Sequence, residues 1–136
     1  MIQYNYKFRV GYADTDQMGS MHHVNYVKYC ECARWELLRN IGIPYKSIED
    51  DGVMCPVVSM QFKFIKQATY DSLITIKTTF QWIKGVRMFF EYDFLNENDE
   101  IINHAETLLA FVRKNDWKPC RPPVQLLEVI ENLQQK

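Results

Sequence analysis

The run from His23 to Ile41 constrains the fold more than any other part of the chain. Val27, Cys30, Ala33 or Arg34, Leu38 and Ile41 recur at helical spacing, and Gly42 supplies a stop. Tyr26, Tyr29, Trp35 and Leu37 extend the apolar surface over more than one face. A helix lying on a surface keeps a polar side, so this one asks to be wrapped. The wrapping material follows it. Val58, Met60, Phe62 and Phe64 alternate with Ser59, Gln61 and Lys63, and Ile74, Ile76, Phe80 and Trp82 alternate with Thr75, Lys77 and Gln81. Val86, Met88, Phe90, Tyr92 and Phe94 continue the two-residue period, and Leu109 and Phe111 belong to a last strand over about 101–114. A looser alternation over residues 2–11 adds a strand at the start. Gly85 and the run Asn96 to Asp99 mark hairpin turns. Pro44 opens a short helix through Asp51, and residues 123–134 read as a terminal helix. Five antiparallel strands cannot hide both faces unaided. Curling them around a largely apolar helix hides one face and predicts an α+β domain.

Composition bounds the function. A chain of 136 residues with 47% apolar residues fits one packed domain, 1–136. A net charge of −1 gives nucleic-acid binding no electrostatic support. Residues 1–7 lack the apolar core of a signal peptide, and no run approaches the ~18 apolar residues of a membrane span. The expectation is a cytoplasmic chain with no membrane insertion. Cys30 and Cys32, two apart on a helix, point in different directions. With Cys55 and Cys120 they read as reduced, mostly buried thiols.

Residues Tyr12 to Tyr26 hold the chemistry. This loop packs Asp14, Asp16, Gly19, His22 and His23 immediately ahead of the helix. A carboxylate held there can attack a carbonyl or activate water while helix N–H groups stabilise the oxyanion. An isolated Asp before a helix is more often a cap, so the surrounding residues decide the matter. Gly19 suits a positive φ or a close backbone approach to substrate. Asn25 can bond the loop or the substrate, with helix capping the simpler account. Adjacent histidines rarely share a metal and no His-x-x-x-His spacing occurs, so no metal is expected. No Gly-x-Ser-x-Gly elbow and no Gly-rich phosphate loop appears.

Asp14-Thr15-Asp16-x-x-Gly19-x-x-His22-His23-x-Asn25-Tyr26, with Tyr29 and Glu31, resembles the signature of hotdog-fold thioesterases. The similar groups are the 4-hydroxybenzoyl-CoA thioesterase family and the acyl-CoA thioesterases associated with the Tol-Pal system. The resemblance implies a five-stranded antiparallel sheet wrapped around one long central helix, and a homodimer or homotetramer with active sites at the subunit interface. It implies an acyl-CoA substrate, hydrolysis to a carboxylic acid and coenzyme A, and no cofactor. Asp16 matches the catalytic acid, as nucleophile or as general base. The His23 backbone matches the oxyanion donor, and its imidazole either shuttles a proton or packs at an interface. Cys55 to Ser59 resemble the strand entry that lines the acyl pocket from the neighbouring subunit, which makes Val58 and Ser59 pocket residues or ordinary strand packing alike. Lys84 falls near a basic position of the 4-hydroxybenzoyl-CoA enzymes, toward the coenzyme A phosphates. Gly19 and Asn25 complete the candidate substrate-binding set. Glu31 matches a helix glutamate that, if buried, needs a partner such as Arg34. Related chains put small aliphatic residues where Ser20 and Met21 stand. A dehydratase-like hotdog protein or a non-catalytic acyl-CoA binder is the alternative.

Overall fold

The computed structural model describes residues 1–135. Strand β1 (Ile2–Arg9) leads through a 3₁₀ turn at Tyr12–Asp14 into helix α1 (His23–Asn40) and a short helix α2 (Tyr45–Asp50). Then come β2 (Val53–Met54), β3 (Val57–Phe64), β4 (Leu73–Lys84), β5 (Arg87–Leu95), β6 (Ile101–Ala110), β7 (Val112–Arg113) and helix α3 (Val124–Gln134). Five strands form one sheet in the order β1-β4-β5-β6-β3, and every pairing in it is antiparallel. β2 and β7 make a separate two-stranded ribbon.

Alternation decides which side of the sheet is buried. Met88, Phe90, Tyr92 and Phe94 of β5 are all buried, next to Ile74, Ile76, Thr78 and Phe80 of β4. Fully burying an apolar side chain of this size contributes about 1.5–3 kcal/mol. Helix α1 closes this face with Tyr26, Cys30, Ala33, Leu37 and Leu38. Tyr26 packs on Phe94 with ring centroids 5.2 Å apart, and Tyr29 stacks on Phe8 of β1 at 3.6 Å. The helix ends where the sequence stops it. Gly42 takes φ +91, its N–H bonds to the Arg39 carbonyl, and the Ile43 N–H bonds to the Leu38 carbonyl. That pair of bonds is a Schellman termination, which needs a left-handed residue at Gly42.

Several expectations change. The first strand ends at Arg9, and the last strand breaks at Phe111, so that β7 can pair with β2. A bulge between Phe80 and Trp82 flips the parity of β4, placing Trp82 on the opposite face from Phe80. α1 is not covered all round: Val24, Val27 and Trp35 stay exposed. Glu31 is exposed, whereas Arg34 is buried (4% exposed) and its Nη1 donates to Tyr92 Oη at 3.1 Å. The four cysteines are unpaired. Burial pushes the Cys55 thiol up to about 12 and raises Cys30 as well, so neither is a ready nucleophile. Among the described residues no helix is long and apolar enough to cross a membrane.

Candidate functional site

The loop before α1 holds two aspartates in opposite situations. Asp14 is buried. Its Oδ2 accepts from Tyr29 Oη at 2.6 Å and from the Gly11 N–H at 3.0 Å, and its Oδ1 accepts from Lys28 Nζ at 3.0 Å. Burial alone would raise its pKa, but the bonds from Tyr29, Lys28 and Gly11 outweigh it and hold the carboxyl below its usual range. Burial, then the Asp14 carboxylate, push the Tyr29 hydroxyl the other way, upward. The Asp14 carbonyl accepts from the His22 N–H (2.8 Å) and from Asn25 Nδ2 (2.9 Å). Asp14 therefore ties the loop to the first two turns of α1.

Asp16 is exposed and takes no part in an ion pair among the described residues. Its Oδ1 accepts from the N–H groups of Met18 (2.8 Å) and Ser20 (3.2 Å), while its own N–H donates to the Ser20 carbonyl (2.8 Å). These bonds fix the carboxylate in a tight turn and leave Oδ2 unengaged. Gly19 closes the turn with φ +79. A Cβ built there would meet nothing within 4 Å, so backbone conformation, not crowding, selects glycine.

Helix α1 starts beside this turn. His22 is its N-cap, with Nδ1 accepting from the Val24 N–H at 3.2 Å. Capping thus falls to His22 and not to Asn25, whose amide is spent on the Asp14 carbonyl. The His23 ring stacks on His22 at 4.4 Å. The His23 N–H is the first of the helix and has no hydrogen-bond partner among the described residues. Helix N-terminal N–H groups in this condition attract negative charge.

A cleft of about 340 Å³ opens on these groups, walled by Asp16, Ser20, Met21, His23, Tyr26 and Phe64, with Lys66 at its side. Phe64 and Lys66 were not singled out in the sequence. Phe64 reads there as one more alternating strand residue, and only its place at the end of β3 puts it against Tyr26 (5.2 Å). The buried side-chain polar atoms without a partner among the described residues are Ser20 Oγ and both amide atoms of Asn103. Ser20 walls the cleft. Asn103 lies between Phe94 and Phe64 in register, on the strand face that carries Tyr26 above it. Buried polar groups are normally satisfied, and the orphaned Ser20 Oγ in the wall of the cleft marks it as a place for a ligand.

The remaining sequence candidates lie elsewhere in the chain. Val58 and Ser59 are exposed on the edge strand β3, next to Leu108 and Leu109 of β6. Lys84 sits at the β4–β5 hairpin, its Nζ 4.8 Å from the Trp82 ring centroid. β1 runs from Ile2, opposite Phe80, to Arg9, opposite Leu73, so the motif loop leaves the sheet at the end away from Lys84. One chain alone does not bring Lys84, Val58 or Ser59 to Asp16. No group of His, Cys, Asp and Glu among the described residues could hold a metal ion.

The chain is similar to known proteins over most of its length. YneP of Bacillus subtilis is 30% identical over 115 residues, covering 85% of this chain and 83% of that protein. The acyl-CoA thioester hydrolase YbgC of Escherichia coli is 27% identical over 124 residues, covering 91% and 92%. The crystal structure of a DHNA-CoA thioesterase from Staphylococcus aureus superposes with a TM-score of 0.93 at 26% identity, over 99% of this chain and 93% of that one. The family model described as the thioesterase-like superfamily matches residues 10–130. The chain therefore belongs to the thioesterase-like superfamily and is one of its hotdog-fold members.

Proposed function

We propose that this protein is an acyl-CoA thioesterase in which Asp16 is the reacting carboxylate. The reaction adds water across a thioester and releases a carboxylic acid and the thiol of coenzyme A. One observation carries the assignment: Asp16, whose turn leaves Oδ2 unengaged, and His23, whose N–H is unpartnered, wall the same cleft. A thioester carbonyl directed at that N–H gains oxyanion stabilisation as its carbon is attacked. Asp16 either attacks directly, forming an anhydride that water opens, or takes a proton from the attacking water. His23 walls the cleft, and its imidazole is the group in this reading that passes that proton to the leaving thiolate. Gly19 holds the turn that aims the acid, and Asn25 anchors the loop from behind.

A second copy completes the site in this reading. β3 is an edge strand, exposed at Val58 (48%) and Phe64 (55%), and Trp35 on the adjoining open stripe of α1 is 38% exposed. An edge of this kind favours pairing. Two β3 strands related by a two-fold axis run antiparallel, which sets Val58 and Ser59 of one copy beside Phe64 of the other. Lys84 then comes to the same end as the other copy's Asp16, in reach of the coenzyme A tail. The sheet of each protomer curls about α1 as one domain. Four unpaired thiols suit a reducing compartment, and we place the reaction in the cytoplasm.

Thiol release from short, long and aromatic acyl-CoAs tests the proposal. Turnover that is lost in Asp16→Asn supports it. Binding of acyl-CoA without turnover in the unaltered protein would replace it with the non-catalytic binder.

A further inference from the structure

Ser20 carries a hydroxyl that the fold does not use. Its N–H donates to Asp16 Oδ1 at 3.2 Å, its carbonyl accepts from the Asp16 N–H at 2.8 Å, and it forms an isolated antiparallel bridge with Thr69. Alanine would make every one of these contacts, because on the Ser20 side all are main-chain. The hydroxyl is what serine adds, and it is buried without a partner among the described residues. A buried polar group in that condition bears a desolvation penalty with nothing to offset it.

Its place gives the hydroxyl a use. Ser20 walls the cleft together with Asp16 and His23, and the apolar lining comes from Met21, Tyr26, Phe64 and Ile65. Lys66, the cation in the same lining, is engaged by Glu100. Among the described residues that line the cleft, Ser20 is the one whose side-chain polar atom is both buried and unpartnered.

Distance decides which part of a ligand Ser20 can read. The Ser20 nitrogen is 3.2 Å from Asp16 Oδ1. A serine hydroxyl sits about 3–3.7 Å from its own nitrogen and turns among staggered positions while the backbone stays fixed. A carbonyl carbon under attack stands about 3–3.5 Å from the reacting oxygen. One hydrogen bond spans about 2.7 Å. The hydroxyl therefore addresses the first atoms beyond a thioester carbonyl and not the far end of a long chain. It can donate to a keto oxygen there, or exchange hydrogen bonds with a hydroxyl.

We propose that Ser20 is a specificity-determining residue that favours acyl groups bearing a hydroxyl or keto oxygen on one of the two carbons next to the thioester carbonyl. This rests on the reading of Asp16 as the reacting carboxylate. An unsubstituted acyl group fills the cleft and leaves the hydroxyl orphaned, whereas an oxygenated one satisfies it. Sites with a buried polar group discriminate among substrates in this way.

Thiol release from butyryl-CoA, 2-hydroxybutyryl-CoA and 3-hydroxybutyryl-CoA, compared as kcat/KM, reads the preference. The native protein is expected to favour a hydroxylated thioester over butyryl-CoA by about tenfold or more. Ser20→Ala keeps the main-chain bonds and is expected to bring that ratio to within about threefold of unity. Native rates alike on all three thioesters, or a preference that survives in Ser20→Ala, overturns the inference and leaves Asp16 in place. An equal loss on all three in Ser20→Ala overturns it too, since a hydroxyl that merely steadied Asp16 would act on every substrate alike. No turnover of any thioester overturns this inference together with the hydrolase reading.

Discussion

Tyr29 Oη donates a 2.6 Å hydrogen bond to Asp14 Oδ2. That bond separates two acids that stand only two residues apart. Asp14 is paired with Lys28 and fastened to α1, whereas Asp16 keeps an unengaged oxygen.

Asp14→Asn is expected to destabilise the fold by about 1–3 kcal/mol, since it weakens charge-assisted bonds to Lys28 and Tyr29 in a buried setting. The pH dependence follows in sign. The folded pKa lies below the free value of 3.8, so the Asp14 contribution is complete above that value. It declines as pH falls through the folded pKa. Thermal unfolding of both proteins between pH 7 and pH 2 checks this: the gap in Tm should narrow toward the acid end, and a constant gap would contradict it.

Asp16→Asn and Asp16→Ala should part company. The amide oxygen of Asn can still accept from the Met18 and Ser20 N–H groups, so the turn survives without the charge. Asn is expected to lose turnover by at least about a hundredfold while Tm stays within a degree or two. Ala is expected to lose turnover and also about 1 kcal/mol of stability. Equal Tm losses in both variants would show that the turn does not depend on this oxygen.

Asn103→Leu removes two unsatisfied buried polar atoms and keeps the branched side-chain skeleton, with methyl groups larger than the atoms they replace. It is expected to raise unfolding stability by about 1–3 kcal/mol, because each orphan carries a desolvation penalty. If the amide is held for a ligand at the neighbouring cleft, the same variant loses selectivity among acyl groups, a trade often seen at functional positions. Chemical denaturation alongside a panel of acyl-CoAs gives both readings, and a drop in stability would argue against an orphaned amide.

His104 supplies the opposite pH sign. A 2.7 Å bond to Asp93 lifts its pKa above the usual 6.5, although burial works against the lift. Glu91, Glu106 and the flanking Lys63 complete its surroundings. The charged imidazole therefore stabilises the fold fully below pH 6.5, and this support fades as pH rises through the folded pKa. His104→Gln should cost stability at pH 6 and much less at pH 9. Proton NMR titration of the His104 ring reads the same shift directly, and a ring pKa below 6.5 would refute the assignment.

The sheet was largely legible because strict alternation needs no partner information. Met88, Phe90, Tyr92 and Phe94 declare one face by themselves. The bulge near Gln81 was not legible, since one inserted residue leaves composition unchanged while reversing parity for Trp82. The β2–β7 ribbon is too short to carry a pattern. Asp14 and Asp16 are alike as letters. What distinguishes them is Lys28 and Tyr29, brought round by one helical turn. The burial of Arg34 has a similar reason: Arg34 finds Tyr92, far away in sequence, whereas Glu31 stays exposed.

β3 bonds within its sheet to β6 alone, and β6 begins at Ile101, well after β3 has been synthesised. At ~5–20 residues per second the ribosome delivers β6 roughly 2–9 seconds after β3. For that interval a nascent chain carries Val57–Phe64 as a sticky, unmatched ribbon. The Lys63 and Gln61 side chains that punctuate it act as a safeguard against clumping before the fold can close.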